Sequence, residues 1–202
     1  MGADLSLHLF AWNQNPVTIK DSDLQQLVQQ VVDRVLAEKG QPSVSVPSAP
    51  PAKKVALGAD HGGLAMKQDL AAYLAELGYA VSDCGTFTAD PVDYPDVAFA
   101  VAKLVSDGAA PRGIIVDGAG IGSAMVANKV PGVRAALCYD LSTARNAREH
   151  NDANVLTLGA RLIGPGLARD IVKVFLETEC REERHKKRVD KIMQVERRFL
   201  KK

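Results

Sequence analysis

The sequence predicts an α/β protein built on a doubly wound parallel sheet. Three observations predict it. From Lys53 onward, short apolar runs ending in glycine alternate with stretches of helical periodicity. The links between those runs are long enough to hold a helix, which parallel strands need and hairpins do not. About 150 residues follow Lys53, enough to bury a substantial core.

Each element has its own signal. KKVALGA (53–59) is a short apolar run, read as a buried parallel strand. LAMKQDLAAYLAELG (64–78) has helical spacing and closes at Gly78. YAVSDCG (79–85) reads as the second strand, Pro95 to Ser106 as a helix, and RGIIVDG (112–118) as the third strand. GIGSAMVANK (120–129) opens a helix and VRAALC (133–138) is the fourth strand. LSTARNAREHN (141–151) is a helix and NVLTLGA (154–160) the fifth strand. Two helices, from Pro165 and from about Glu182, close the chain.

Composition narrows the class of function. The chain carries 25 Lys+Arg against 24 Asp+Glu, a formal +1, so bulk charge does not make it a polyanion binder. It has no apolar run of ~18 residues, hence no expected membrane span. MGADLSLHLF lacks the basic start and apolar stretch of a secretory signal. Cys84, Cys138 and Cys180 are widely spaced, which argues against a disulfide framework or a CxxC metal site and for a reducing, cytoplasmic location.

Five of the ten prolines lie within residues 1–52, and four of those fall in QPSVSVPSAPPA, 41–52. That segment reads as an extended linker between an N-terminal extension, 1–40, and the main domain, 53–202. Within the extension, Ser22 and Gln25 make a capping-box pattern. Leu24, Leu27, Val28, Val31, Val32, Val35 and Leu36 then form one apolar stripe, predicting an amphipathic helix over 22–39 that ends before Gly40. The stripe has two readings: an element packed within its own domain or oligomer, or a docking peptide on a tether.

In a parallel α/β sheet, ligands gather beyond the carboxyl ends of the strands. Asp60-His61-Gly62-Gly63, the segment Asp117-Gly118-Ala119-Gly120-Ile121-Gly122, and Gly159-Ala160-Arg161 end strands there. Glu149-His150-Asn151, ending the helix after the fourth strand, is expected to join them. The glycines let the backbone turn tightly and offer N–H groups to an oxyanion or phosphate at a helix start. A plain βα turn is the alternative. The segment is neither GxGxxG nor GxxxxGK[ST], so no dinucleotide or triphosphate site is read from it. Asp117 ends an apolar strand and loses solvent there. It suits proton abstraction beside a carbonyl, or simply caps the turn. His61 and His150 are read either as functional or as hydrogen-bonded core histidines.

Between Arg181 and Lys202 stand ten Lys/Arg against four acids, a local +6 that leaves the rest near −5. Arg184 and Arg188 share one helical face and are spaced to clamp a phosphate, with His185 adjacent. A solvated basic face is the alternative. A nucleic-acid patch is disfavoured, because Phe199 is the only aromatic there.

These stretches together resemble ribose-5-phosphate isomerase type B, in the wider family that includes galactose-6-phosphate isomerase subunits. VALGADHGG, LGYAVSDCGT, VDYPD, RGIIVDGAGIG, ANKVPGVRAALCYD, ARNAREHNDANVLTLGAR and RHKKRVDKI carry the likeness, across 53–192. The resemblance implies a Rossmann-like three-layer α/β/α sandwich on a five-stranded parallel sheet. It implies interconversion of ribose 5-phosphate and ribulose 5-phosphate through ring opening and a cis-enediolate, without metal or organic cofactor. By the same likeness, Asp60 and His61 bind substrate, and Gly118, Ala119, Gly120, Ile121 and Gly122 hold the enediolate oxygens. His150 assists ring opening, Asn151 contacts sugar oxygens, and Arg161, Arg184 and Arg188 contact substrate or phosphate. The last two are expected to reach a neighbouring subunit's site, making a homodimer or homotetramer.

Two departures stand out. The usual family cysteine base is Asp117 here, and the position where some members place a glutamate base is Ser123. The usual Thr or Ser of the glycine loop is Ala119. Losing such a donor costs about 2.7–4 kcal/mol of transition-state stabilisation. Three accounts follow: Asp117 is itself the base, the substitution suits a different (six-carbon) sugar phosphate, or the chain binds a sugar phosphate without catalysis. The first is favoured, because a carboxylate keeps an ionisable group in place. The extension resembles the encapsulation peptides that dock enzymes to bacterial microcompartment shell or cargo proteins, here through 22–39.

Overall fold

The computed structural model of the chain describes residues 53–200. The extension 1–40, its helix 22–39 and the linker 41–52 lie outside the described residues. Strands and helices alternate in the order β1 (Lys53–Ala59), α1 (Leu64–Glu76), β2 (Tyr79–Asp83), α2 (Tyr94–Ser106), β3 (Arg112–Asp117) and α3 (Ile121–Ala127). They continue as β4 (Ala135–Leu137), α4 (Leu141–Asn151), β5 (Val155–Gly159), α5 (Pro165–Glu177) and α6 (Glu183–Phe199). All pairings are parallel, in the order β2-β1-β3-β5-β4. This is the predicted Rossmann-like α/β fold with five strands.

The strands alternate between two cores, one on each face of the sheet. Val55, Leu57, Ile114, Val116, Leu156 and Leu158 face Leu70 and Leu74 of α1 and Ile171 and Phe175 of α5. Ala56, Ile115 and Val155 face Ala98, Val101 and Ala102 of α2. Each fully buried Leu, Ile or Phe contributes about 1.5–3 kcal/mol over exposure. Burial on both faces is why β3 and β5 read as unbroken apolar runs.

β1 keeps its expected bounds, while β2, β3, β4 and β5 are shorter than expected, most of all β4. VRAALC keeps only Ala135–Leu137, because β4 is an edge strand and Val133 is drawn into a turn by its bond to the Val130 carbonyl, 3.2 Å. The open side of Ala135 is met by Asn128. Its Oδ1 accepts from the Ala135 N–H at 2.9 Å, and its Nδ2 donates to the Ala135 carbonyl at 2.9 Å.

The strand order reverses between β1 and β3. That places the crevice where a ligand is expected at the carboxyl ends of those two strands.

Candidate active site

The crevice is assembled from the loops after β1, β3 and β5. The Asp60 N–H donates to the Val116 carbonyl at 3.2 Å, stitching the first loop to the end of β3. Gly63 is required by proximity, since a Cβ there would stand 2.5 Å from the Val116 carbonyl oxygen. Asp60 Oδ1 accepts from the Gly63 N–H at 3.0 Å and turns the chain into α1. The Arg161 N–H donates to the Gly118 carbonyl at 3.1 Å. The Arg161 side chain lies over Gly118, with Cδ and Nε 3.7 Å from where a Gly118 Cβ would be. Asp60, His61, Asp117–Gly122 and Arg161 thus gather at one end of the sheet.

The loop after β2 closes in from the side. Lys67, 1% exposed, sends Nζ to both carboxylate oxygens of Asp83 at 2.7 Å. Asp83 Oδ1 also accepts from the Gly85 N–H at 2.9 Å. Gly85 and Thr86 pair with Ala59 at 2.7 and 2.6 Å, and the Val92 N–H reaches His61 Nδ1 at 3.3 Å. With Nδ1 accepting, the neutral His61 ring carries its proton on Nε2.

Asp117 is 5% exposed and fully engaged by its own loop. Oδ1 accepts from the Ala119 N–H at 2.8 Å and from the Gly120 N–H. Oδ2 accepts from the Ser123 N–H at 3.2 Å and the Ser123 hydroxyl at 2.5 Å. The turn-capping arrangement considered from sequence is therefore present. Gly120 sits at φ 77°, a left-handed backbone that favours glycine, and α3 starts from it. Tyr139 fastens the loop from outside, its hydroxyl donating to the Ala119 carbonyl at 2.7 Å. Among the described residues, no protein acceptor takes the N–H groups of Gly118, Ile121 or Gly122. They remain available to a ligand, as the first N–H groups of a helix do.

His150 and Asn151 are placed differently from expectation. α4 starts at the carboxyl edge of the sheet and its ten-residue rise carries the chain about 15 Å back to the amino edge, where β5 begins. A crossover helix ends opposite the loops that start it, so His150 and Asn151 stand at the far end from Gly118–Gly122 of the same chain. They join a second cluster there. The His150 ring lies 4.1 Å from that of His185, and its Nδ1 meets Asn146 Nδ2 at 2.9 Å. His185, 2% exposed, directs Nδ1 to the Glu149 carbonyl at 3.0 Å. The partners put the His150 proton on Nε2 and the His185 proton on Nδ1. Arg184 and Arg188 are exposed on the same α6, with Arg184 Nε on Glu182 at 2.6 Å.

The same end is braced by buried charge. Arg148 Nη1 donates to Asp152 Oδ1 and to the Ala153 carbonyl, both at 2.6 Å. Arg134 Nη2 reaches Asp152 Oδ2 at 3.0 Å. Beside this cluster, between α6 and β4, runs a groove of about 750 Å³ lined by Asn151, Ala135, Ile192, Val195 and Phe199.

Sequence reading treated His185 only as a neighbour of Arg184. Its signal was the spacing to Val189, four residues on, which marks the one buried stripe of a charged helix. None of the cysteines lies in the glycine loop. Burial raises the Cys138 thiol to about 11, and it raises Cys84 and Cys180 as well.

Known proteins match this architecture over most of the described residues. Residues 55–192 match the family model described as Ribose/Galactose Isomerase. Ribose-5-phosphate isomerase B of Escherichia coli is 40% identical over 146 residues, 72% of this chain and 98% of that protein. D-erythrulose-4-phosphate isomerase of Pectobacterium atrosepticum is 43% identical over 129 residues, 62% of this chain and 83% of that protein. The solved ribose-5-phosphate isomerase B of Clostridium thermocellum has 46% identity and a TM-score of 0.71, covering 73% of this chain and 99% of that one. The matched segment holds β1 from Val55, the other four strands and both clusters of side chains, so the chain belongs to the ribose/galactose isomerase family of sugar-phosphate isomerases and is an enzyme of the isomerase class.

Proposed function

We propose that the chain interconverts ribose 5-phosphate and ribulose 5-phosphate. The observation that carries this is the set of acceptor-free N–H groups at Gly118, Ile121 and Gly122, beside the Arg161 guanidinium. Such donors stabilise charge developing on the O1 and O2 oxygens of an enediolate. His150 Nε2–H serves ring opening as a general acid. Asp117 then takes the C2 proton. The C2–H electron pair becomes the C1–C2 double bond and the carbonyl pair moves onto O1. The proton returns to C1 as the O2 proton passes to O1, so no oxidant or cofactor enters the balance. Asp60, His61 and Asn151 hold sugar oxygens, and Arg161, Arg184 and Arg188 hold the phosphate.

The two clusters lie at opposite ends of one chain, which supports a site shared between copies in a homodimer or homotetramer. The exposed residues Ile192, Val195 and Phe199 on α6, 44%, 54% and 83% accessible, suit that contact. The enzyme is proposed to be cytoplasmic, with residues 22–39 docking it to a microcompartment shell or cargo. No described helix is long and apolar enough to cross a membrane. Deleting residues 1–40 should leave turnover intact and abolish shell co-localisation; dissociation of the oligomer instead assigns the segment to assembly.

Purified protein with ribose 5-phosphate in heavy water tests the main reading. Turnover with deuterium entering the product is expected, and Asp117→Asn should lose at least about 10²-fold in kcat. Equal turnover by the two proteins removes Asp117 as the base. Binding without turnover or exchange makes the chain a silent binder. A second reading, a four-carbon sugar phosphate, is supported by the 43% identity to the erythrulose-4-phosphate enzyme. A panel of four-, five- and six-carbon phosphates ranked by kcat/KM decides between them.

A further inference from the structure

Asp117 poses a problem for any base: all of its in-plane lone pairs are already engaged. Three of the four donors are backbone N–H groups, from Ala119, Gly120 and Ser123, and these only donate. The fourth, the Ser123 hydroxyl on Oδ2 at 2.5 Å, both donates and accepts. Ser123 is fully buried, so no water competes for that bond. We propose that Ser123 is the positioning residue that tunes Asp117 as proton acceptor. Its hydroxyl donates to the carboxylate before the reaction and turns its proton away from the neutral acid after it. This rests on Asp117 being the base of the reading above.

The exchange balances within the loop. When the substrate C–H bond breaks, its proton forms an O–H bond on the sugar-facing side of Oδ2, in front of Ser123. The serine proton then turns to a helix carbonyl one turn back, at Ala119 or Gly120, as helical serines do. Oδ1 has no such freedom, since its two partners are fixed donors. A fourth N–H in place of the hydroxyl would leave a protonated Asp117 facing donors on every side. Ser123 itself stays behind the carboxylate and does not touch the sugar.

Charged and titratable groups around the loop come from four other segments. They are Arg161 after β5, Asp60 and His61 after β1, Tyr94 of α2 and Tyr139 after β4. Among the described residues none of these bonds to the Asp117 carboxylate, so the hydroxyl is the one side chain hydrogen-bonded to it.

Ser123→Ala is the test, read through the pH profile of kcat. Losing the donor leaves the anion less favoured, so the acidic limb should move up by about one to two pH units. A less stabilised carboxylate is the stronger base, so the high-pH plateau should stay within about threefold and KM within about twofold. Ser123→Cys, nearly isosteric with a weaker donor, should move the limb the same way by less. An unmoved limb overturns the proposal, as does a collapsed plateau with the limb in place, which makes Ser123 a loop-building residue only. A wild-type protein that turns over no sugar phosphate removes the reading and the proposal together. Wild-type turnover that Asp117→Asn abolishes, with an unmoved limb in Ser123→Ala, removes the proposal alone.

Discussion

His150 and His185 stand ring to ring, 4.1 Å between centroids at 58°, on two different helices. The pair ties α6 to the last turn of α4, where the Glu149 carbonyl accepts from His185. A helix end leaves such carbonyls without partners, and His185 satisfies one of them. His185→Phe keeps the ring and loses that bond. It should lower stability by about 1–2 kcal/mol and kcat by less than about tenfold. His150→Gln should leave stability nearly unchanged and lower kcat on the cyclic sugar phosphate by about 10²-fold or more. Urea melts and turnover on the same samples separate the two. Equal loss of turnover in both variants contradicts the division of roles.

Lys67 and Asp83 are unequal partners, with side chains 2% and 31% exposed. Removing the exposed member strands the buried one. Asp83→Asn should therefore cost about 3 kcal/mol, more than Lys67→Met, whose chain still packs under Phe87. Denaturant midpoints give the order, and the reverse order rules out Lys67 as the desolvated partner.

The thiols should be quiet. With Cys138 pushed up to about 11 by burial, and Cys84 and Cys180 also raised by burial, little thiolate exists near neutrality. Iodoacetamide at pH 7.5 should leave native turnover intact, with labelling fast only after unfolding. Activity that falls in step with labelling of the native protein disproves this.

Asp69 is held below the usual carboxylate value, first by the hydrogen bonds from Arg169, whose Nε donates at 2.8 Å. A depressed carboxyl stabilises the fold above its unfolded value and loses that contribution as pH falls through the folded one. The Tm gap between wild type and Asp69→Asn should be present at pH 6 and vanish near pH 2. A gap that persists at pH 2 would mean that packing, not charge, sets it.

Much of the molecule was legible in the sequence because each strand declares its end. RGIIVD runs apolar until Asp117, and the glycines that follow have few uses other than a tight turn. VLTLGAR likewise delivers Arg161 to the right edge. The sense of a crossover was legible too, since α4 must return the chain to the start of β5, but the motif Glu149-His150-Asn151 carries no mark of which end of the sheet it reaches. Side-chain pairings across the fold left no local trace. Tyr139 meets Ala119 and His185 meets His150 from 20 and 35 residues away, and no period or spacing encodes that. The engagement of Asp117 lay between, because an Asp before two glycines is a common turn cap but Ser123 is a turn further on.

The Asn128 carboxamide, set against Ala135, presents one N–H and one C=O in the geometry of a peptide group. In effect it is a one-residue strand that cannot be extended. A neighbouring sheet approaching this edge finds its first docking pair already taken. The resistance of this edge to sheet addition is thus expected to rest on one exposed side chain outside both the glycine loop and the core. Shortening it to alanine would return the edge to the state in which sheets recruit other sheets.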